Sequence, residues 1–130
     1  MALRIVRLGS PRHPEEGLRI GTVRRPPRGV AKDQFAALDF YDVWFPDLAP
    51  SEELLRWAHG QALDEKHWKV FARRYQAEMK SPETRRALDL IAALSHRTNL
   101  SVGCYCADEA RCHRTLLRDL LIKHGARISR

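Results

Sequence analysis

The stretch LSVGCYCADEARCHRTLLRDLLIKHG, residues 100–125, decides the fold. Its first seven residues, LSVGCYC, read as a strand, and a short polar loop follows. A helix is then expected from about Arg111 to His124, with Leu116, Leu117, Leu120, Leu121 and His124 facing inward and Gly125 as its stop. A strand that passes through a loop into a helix is the unit from which parallel α/β sheets are built. In such sheets ligands bind beyond the carboxyl ends of the strands, where loops lead into helix N-termini.

Working outward, the rest of the chain supplies more such units. LRIVRL (3–8) alternates apolar and basic residues as a strand does, and GSPRHPEEG (9–17) is turn chemistry. LRIGTV (18–23) is a second strand expectation, stopped by RRPPRG (24–29), and YDVWF (41–45) is a third, ending at Pro46. Helices follow. Ser51 is an N-cap with Glu52 and Glu53 in the first turn, and Gly60 closes that helix. A second runs from about Asp64 to Met79, with Trp68, Phe71, Ala72, Tyr75 and Met79 on one face. Ser81 caps a third, with Pro82 at its first position and Leu88, Ile91, Ala92 and Ser95 buried. Residues 126–129 suit a last short strand. The expectation is one α/β domain over residues 1–130, with a mostly parallel sheet of about four strands covered by helices.

Composition narrows the function. With 130 residues the chain can bury a core without disulfide staples, and its three cysteines, an odd number, suit a reducing compartment. No apolar run approaches a membrane span, and MALRIVRLGS is too short and too basic for a signal peptide. The expectation is therefore a soluble, cytoplasmic protein without a membrane partner. Lys and Arg number 23 against 16 acids, for a net charge of +7 and a pI near 9.8. That balance favours an anionic partner, either a small phosphate- or carboxylate-bearing ligand or nucleic acid.

Every cysteine lies in the opening stretch: Cys104, Cys106 and Cys112, followed by His113 and Arg114. Three chemistries use such residues. Three thiols and an imidazole are a full zinc set, but paired C-x-x-C knuckles are missing. Positions two apart on a regular strand also diverge too far to share an ion unless the strand bends. No metal and no cofactor are therefore expected. A phosphatase-type loop needs five residues between cysteine and arginine, whereas four separate Cys106 from Arg111, and Asp108 and Glu109 would repel phosphate. Other thiol chemistry by Cys106 or Cys112, with His113 as base, stays open. So does anion binding by Arg114, His113 and the helix N-terminus, with Arg24, Arg25 or Arg28 approaching from the RRPPRG loop. Each piece also has a plainer role: strand cysteines are commonly packing residues, and Arg114 can pair with Asp108, Glu109 or Asp119. His59, His67 and His96 read as surface or packing residues. A non-enzymatic nucleic-acid-binding module using the arginine-rich surface is the competing class.

A family resemblance joins these features. The chain carries Pro27-Arg28-Gly29-Val30 with Lys32, then Trp44 with Leu48-Ala49-Pro50-Ser51 and Arg56-Trp57, then Trp68, Phe71, Tyr75 and Glu78 at W-x-x-F-x-x-x-Y-x-x-E spacing. These resemble the DUF488 family, particularly its YeaO-like branch. Cys106 with Asp108 and Glu109, then Cys112-His113-Arg114, is similar to a C-x-E…CHR signature found in the same family. The resemblance implies a small α/β fold and singles out Arg28, Cys106, Cys112, His113 and Arg114 as a candidate site, without an agreed activity. Val23 and Pro26 depart from the branch, which has aspartate and tryptophan there, so a pocket shaped by those residues is altered in this chain.

Overall fold

A computed structural model describes residues 1–106 and 112–129. Four parallel strands, β1 (Leu3–Arg7), β2 (Leu18–Gly21), β3 (Val43–Trp44) and β4 (Leu100–Cys104), form one sheet in the order β1-β4-β2-β3. Among the described residues four α-helices accompany them, α1 (Glu52–His59), α2 (Glu65–Glu78), α3 (Pro82–Leu94) and α4 (His113–Lys123), with short 3-10 turns at Lys32–Gln34 and Pro46–Leu48. The last strand in the chain is thus inserted between the first two. In register, β4 sets Val102 beside both Ile5 and Ile20. It is buried along its whole length, as a central parallel strand must be.

Residues alternate across the sheet, so Leu3, Ile20, Leu100 and Val102 share a core with Leu54, Phe71, Tyr75, Leu88, Ile91, Leu117 and Leu121 from the helices. All four helices therefore lie against one face. The opposite face is covered by loops, with one 3-10 turn at Lys32–Gln34, and glycines let the cover and the neighbouring strand approach closely. A Cβ on Gly21 would come within 2.3 Å of the Tyr41 ring, and one on Gly103 within 2.3 Å of the Val6 carbonyl oxygen. Arg19, fully buried, fixes the loops there. It grips Glu16 through Nε and Nη2 and donates from Nη1 to the carbonyls of Ser10 and Asp39.

Local signals set the helix boundaries. The Ser51, Asp64 and Ser81 side chains each accept an N–H from the first turn of α1, α2 and α3. Gly125, at φ +94°, ends α4 in the left-handed conformation that glycine tolerates best. Strand ends differ more from expectation. β3 is only two residues long, because Tyr41 turns inward over Gly21 and Asp42 uses its carboxylate to accept the Arg19 N–H. The segment 126–129 contributes a single bridge, Ile128 to Leu3, rather than a strand. No helix among the described residues is long and apolar enough to cross a membrane.

Candidate functional site

The site forms where the central strand ends. β4 stops at Cys104, and the chain bends through Tyr105, whose hydroxyl donates to the Arg25 carbonyl on the neighbouring loop. Cys106 is therefore outside the ladder and exposed, while Cys104 stays buried. Cys112 returns as the N-cap of α4 with extended backbone, φ −127° and ψ 148°. These turns bring the sulfurs of Cys104, Cys106 and Cys112 within 4.8 Å of one another. The divergence expected of positions two apart does not arise, because the strand has ended before the second of them. The expected contacts of Asp108 and Glu109, and the expected helix start at Arg111, lie outside the described residues.

His113 follows at the first position of α4, 7% exposed. Its Nε2 lies 2.8 Å from the Thr22 carbonyl oxygen, which can only accept, so Nε2 carries the proton. Nδ1 is then the bare nitrogen, 4.0 Å from Cys112 Sγ. Burial holds His113 below its ordinary pKa, against the pull of the Thr22 carbonyl. Its ring also meets Tyr75, 5.7 Å between centroids, which ties the site to the helical core. Arg114 is 5% exposed, and its Nε has no hydrogen-bond partner. None of the ion pairs among the described residues includes it.

Electrostatics divides the three thiols. Hydrogen bonds from the thiols of Cys104 and Cys112 hold Cys106 far below the ordinary thiol range, and His113 and Arg114 add to the effect against the cost of burial. Donating those bonds keeps Cys104 and Cys112 protonated, both shifted upward. The surroundings are apolar: Leu8, Val23 and Tyr41 pack with Cys104 and Cys112, and Phe35, Phe40 and Tyr105 lie against them. The Tyr41 hydroxyl is buried there without a partner.

The basic loop is divided in its roles. Arg24 donates to the Pro50 and Ala49 carbonyls, and Arg25 pairs with Glu52 at 3.1 Å. Both expected anion ligands thus hold the loop to the start of α1. Arg28 is exposed farther along it. The two departures from the branch pattern bear on the site directly. Val23 packs among the thiols, where an aspartate would have added charge. Its carbonyl accepts from the Trp44 indole, and Pro26 lines a cleft of about 430 Å³ with Tyr41 and Trp44. Thr22 and Tyr41 complete the site without any local signal in the sequence, whereas the helical spacing marks Tyr75 as a core residue but not its contact with His113.

A family model described as the active DUF488-N3 subclade, DUF488-N3a, matches residues 3–125. Proteins of Mycobacterium bovis and Mycobacterium tuberculosis, each described as an uncharacterized protein, are 30% identical to this chain over 119 residues, covering 92% of it and 92% of each relative. No solved structure matches.

Proposed function

The chain belongs to the DUF488 family, and from that premise we propose that it binds a small anionic ligand, phosphate- or carboxylate-bearing, at the Cys/His/Arg turn between β4 and α4. Arg114 is the anchoring cation, and Arg28 closes the ligand from the basic loop. Cys106 is the accessible thiol, with Cys112 and His113 behind it, for chemistry on the bound ligand. The observation that carries this reading is the buried Arg114 guanidinium with an unpartnered Nε, whose charge acts on the exposed Cys106 thiol at the carboxyl end of the central strand. Buried charges are ordinarily paired, and a bound anion would supply the missing partner. The word "active" in the description of the matching subclade agrees with a working site. Arg24 and Arg25 position the loop and are not ligands in this reading.

Alkylation of Cys106 by iodoacetamide, followed by mass spectrometry, tests it. Inorganic phosphate is expected to slow the reaction several-fold relative to chloride of equal ionic strength, and Arg114→Gln to remove that protection. Arg28→Gln, on an exposed residue, is expected to weaken protection without affecting folding. Equal rates in phosphate and chloride would overturn the reading.

A further inference from the structure

The three sulfurs invite a second question, because they are closer than packing requires. Three thiols from two separate chain segments, two of them buried and one exposed, meet at one point within 4.8 Å. Tetrahedral zinc with Zn–S bonds of about 2.3 Å sets its sulfurs about 3.8 Å apart. Each pair here needs to close by no more than about 1 Å to reach that spacing. At that spacing all three sulfurs reach one ion.

The nitrogen nearby has the right form. Zinc-bound histidine ordinarily donates its other N–H to a carbonyl or carboxylate, which leaves the ligating nitrogen bare and oriented. His113 makes that bond to Thr22, and its bare Nδ1 lies 4.0 Å from Cys112 Sγ. Charge agrees too. Three thiolates around a divalent ion leave one net negative charge, and Arg114 is a buried cation with no carboxylate partner among the described residues. Soft sulfur donors in a tetrahedral set favour zinc(II) over hard cations.

We propose that Cys104, Cys106 and Cys112 bind a single thiophilic ion, zinc(II) in class, with His113 Nδ1 on the Cys112 side of the ion, 4.0 Å from that sulfur, and Arg114 balancing the charge. Binding forms three metal–sulfur bonds, and the protons still on the sulfurs leave to solvent; no electron is transferred. Because Cys106 is both ligand and the only exposed thiol, the ion masks it. That masking rests on the reading of Cys106 as the reactive thiol, whereas the metal site does not.

The full-length reduced protein, freed of metal by chelation and kept anaerobic, is titrated with Co²⁺ as the optical probe. The expected result is a one-to-one endpoint with thiolate-to-cobalt charge-transfer bands and the intense visible bands of tetrahedral cobalt, displaced by Zn²⁺. Cys106→Ala removes an exposed side chain, so it leaves the buried packing intact. It is expected to weaken cobalt binding by more than the roughly 10–100-fold that loss of an outer partner costs. Zn²⁺ is expected to stop alkylation of Cys106. Absence of the charge-transfer bands, or bands that survive Cys106→Ala unchanged, would overturn the metal site. Should phosphate fail to protect the metal-free thiol while the cobalt spectrum appears, the ligand reading falls and the metal site stands.

Discussion

Gly103 shows how little room the site residues have. It precedes Cys104 in the central strand, and a Cβ there would lie 2.3 Å from the Val6 carbonyl oxygen and 2.9 Å from Val6 Cγ2. The nearer atom is backbone of a paired strand and cannot rotate away. Gly103→Ala must therefore push β1 from β4, where Val6 and Gly103 are register partners. The expected loss exceeds the 1–3 kcal/mol typical of added methylenes in a packed core, read as a lower urea midpoint. His113 is constrained in another way. It meets Thr22 at the β2 end and Tyr75 of α2, so its burial follows from the tertiary fold and not from helix periodicity.

At the scale of elements, local chemistry was legible and long-range closure was not. Ser51, Asp64 and Ser81 announce their helices because a cap needs only the next three residues. The apolar faces of α2 and α3 were equally plain from spacing. The meeting of three sulfurs was not, because it depends on β4 ending at Cys104 and on the turn that Tyr105 makes to Arg25. The partners of Arg24 and Arg25, the Ala49 and Pro50 carbonyls and Glu52, have no local signal either, because they lie more than twenty residues away. Gly60 illustrates the finer limit. It does close α1, but at φ −80° and ψ 1°, with nothing nearer than 3.6 Å to an added Cβ. Its backbone does not need glycine. Gly60→Ala is expected to stabilise the fold by about 0.4–1 kcal/mol through the unfolded chain, visible as a higher denaturation midpoint with an unchanged slope.

The whole molecule is asymmetric, with helices on one sheet face and loops on the other, and this makes the loop layer sensitive to acid. Glu16 and Arg19 hold that layer. Arg19 reaches the Ser10 and Asp39 carbonyls, while Glu16 accepts from Ser101 of β4 and from the His13 N–H. Burial alone would raise the Glu16 pKa, but the bonds from Arg19, Ser101 and His13 outweigh it and bring it from the ordinary 4.5 down to about 2. A carboxylate whose folded pKa is lowered contributes stability that is full above its unfolded pKa. That contribution, about 3 kcal/mol for such a shift, fades as pH falls from 4.5 through 2. Asp42, lowered by Arg12 and the Arg19 N–H against its own burial, titrates in the same direction. The measurement is therefore the difference between wild type and Glu16→Gln in urea unfolding across that range. Glu16→Gln leaves the Arg19 charge buried without its counterion, so at neutral pH it is expected to cost about 3–5 kcal/mol. Toward pH 2 the two curves should converge, because wild-type Glu16 is then losing its own charge. Curves that stay parallel down to that pH would show that the loop layer is held by something other than this pair.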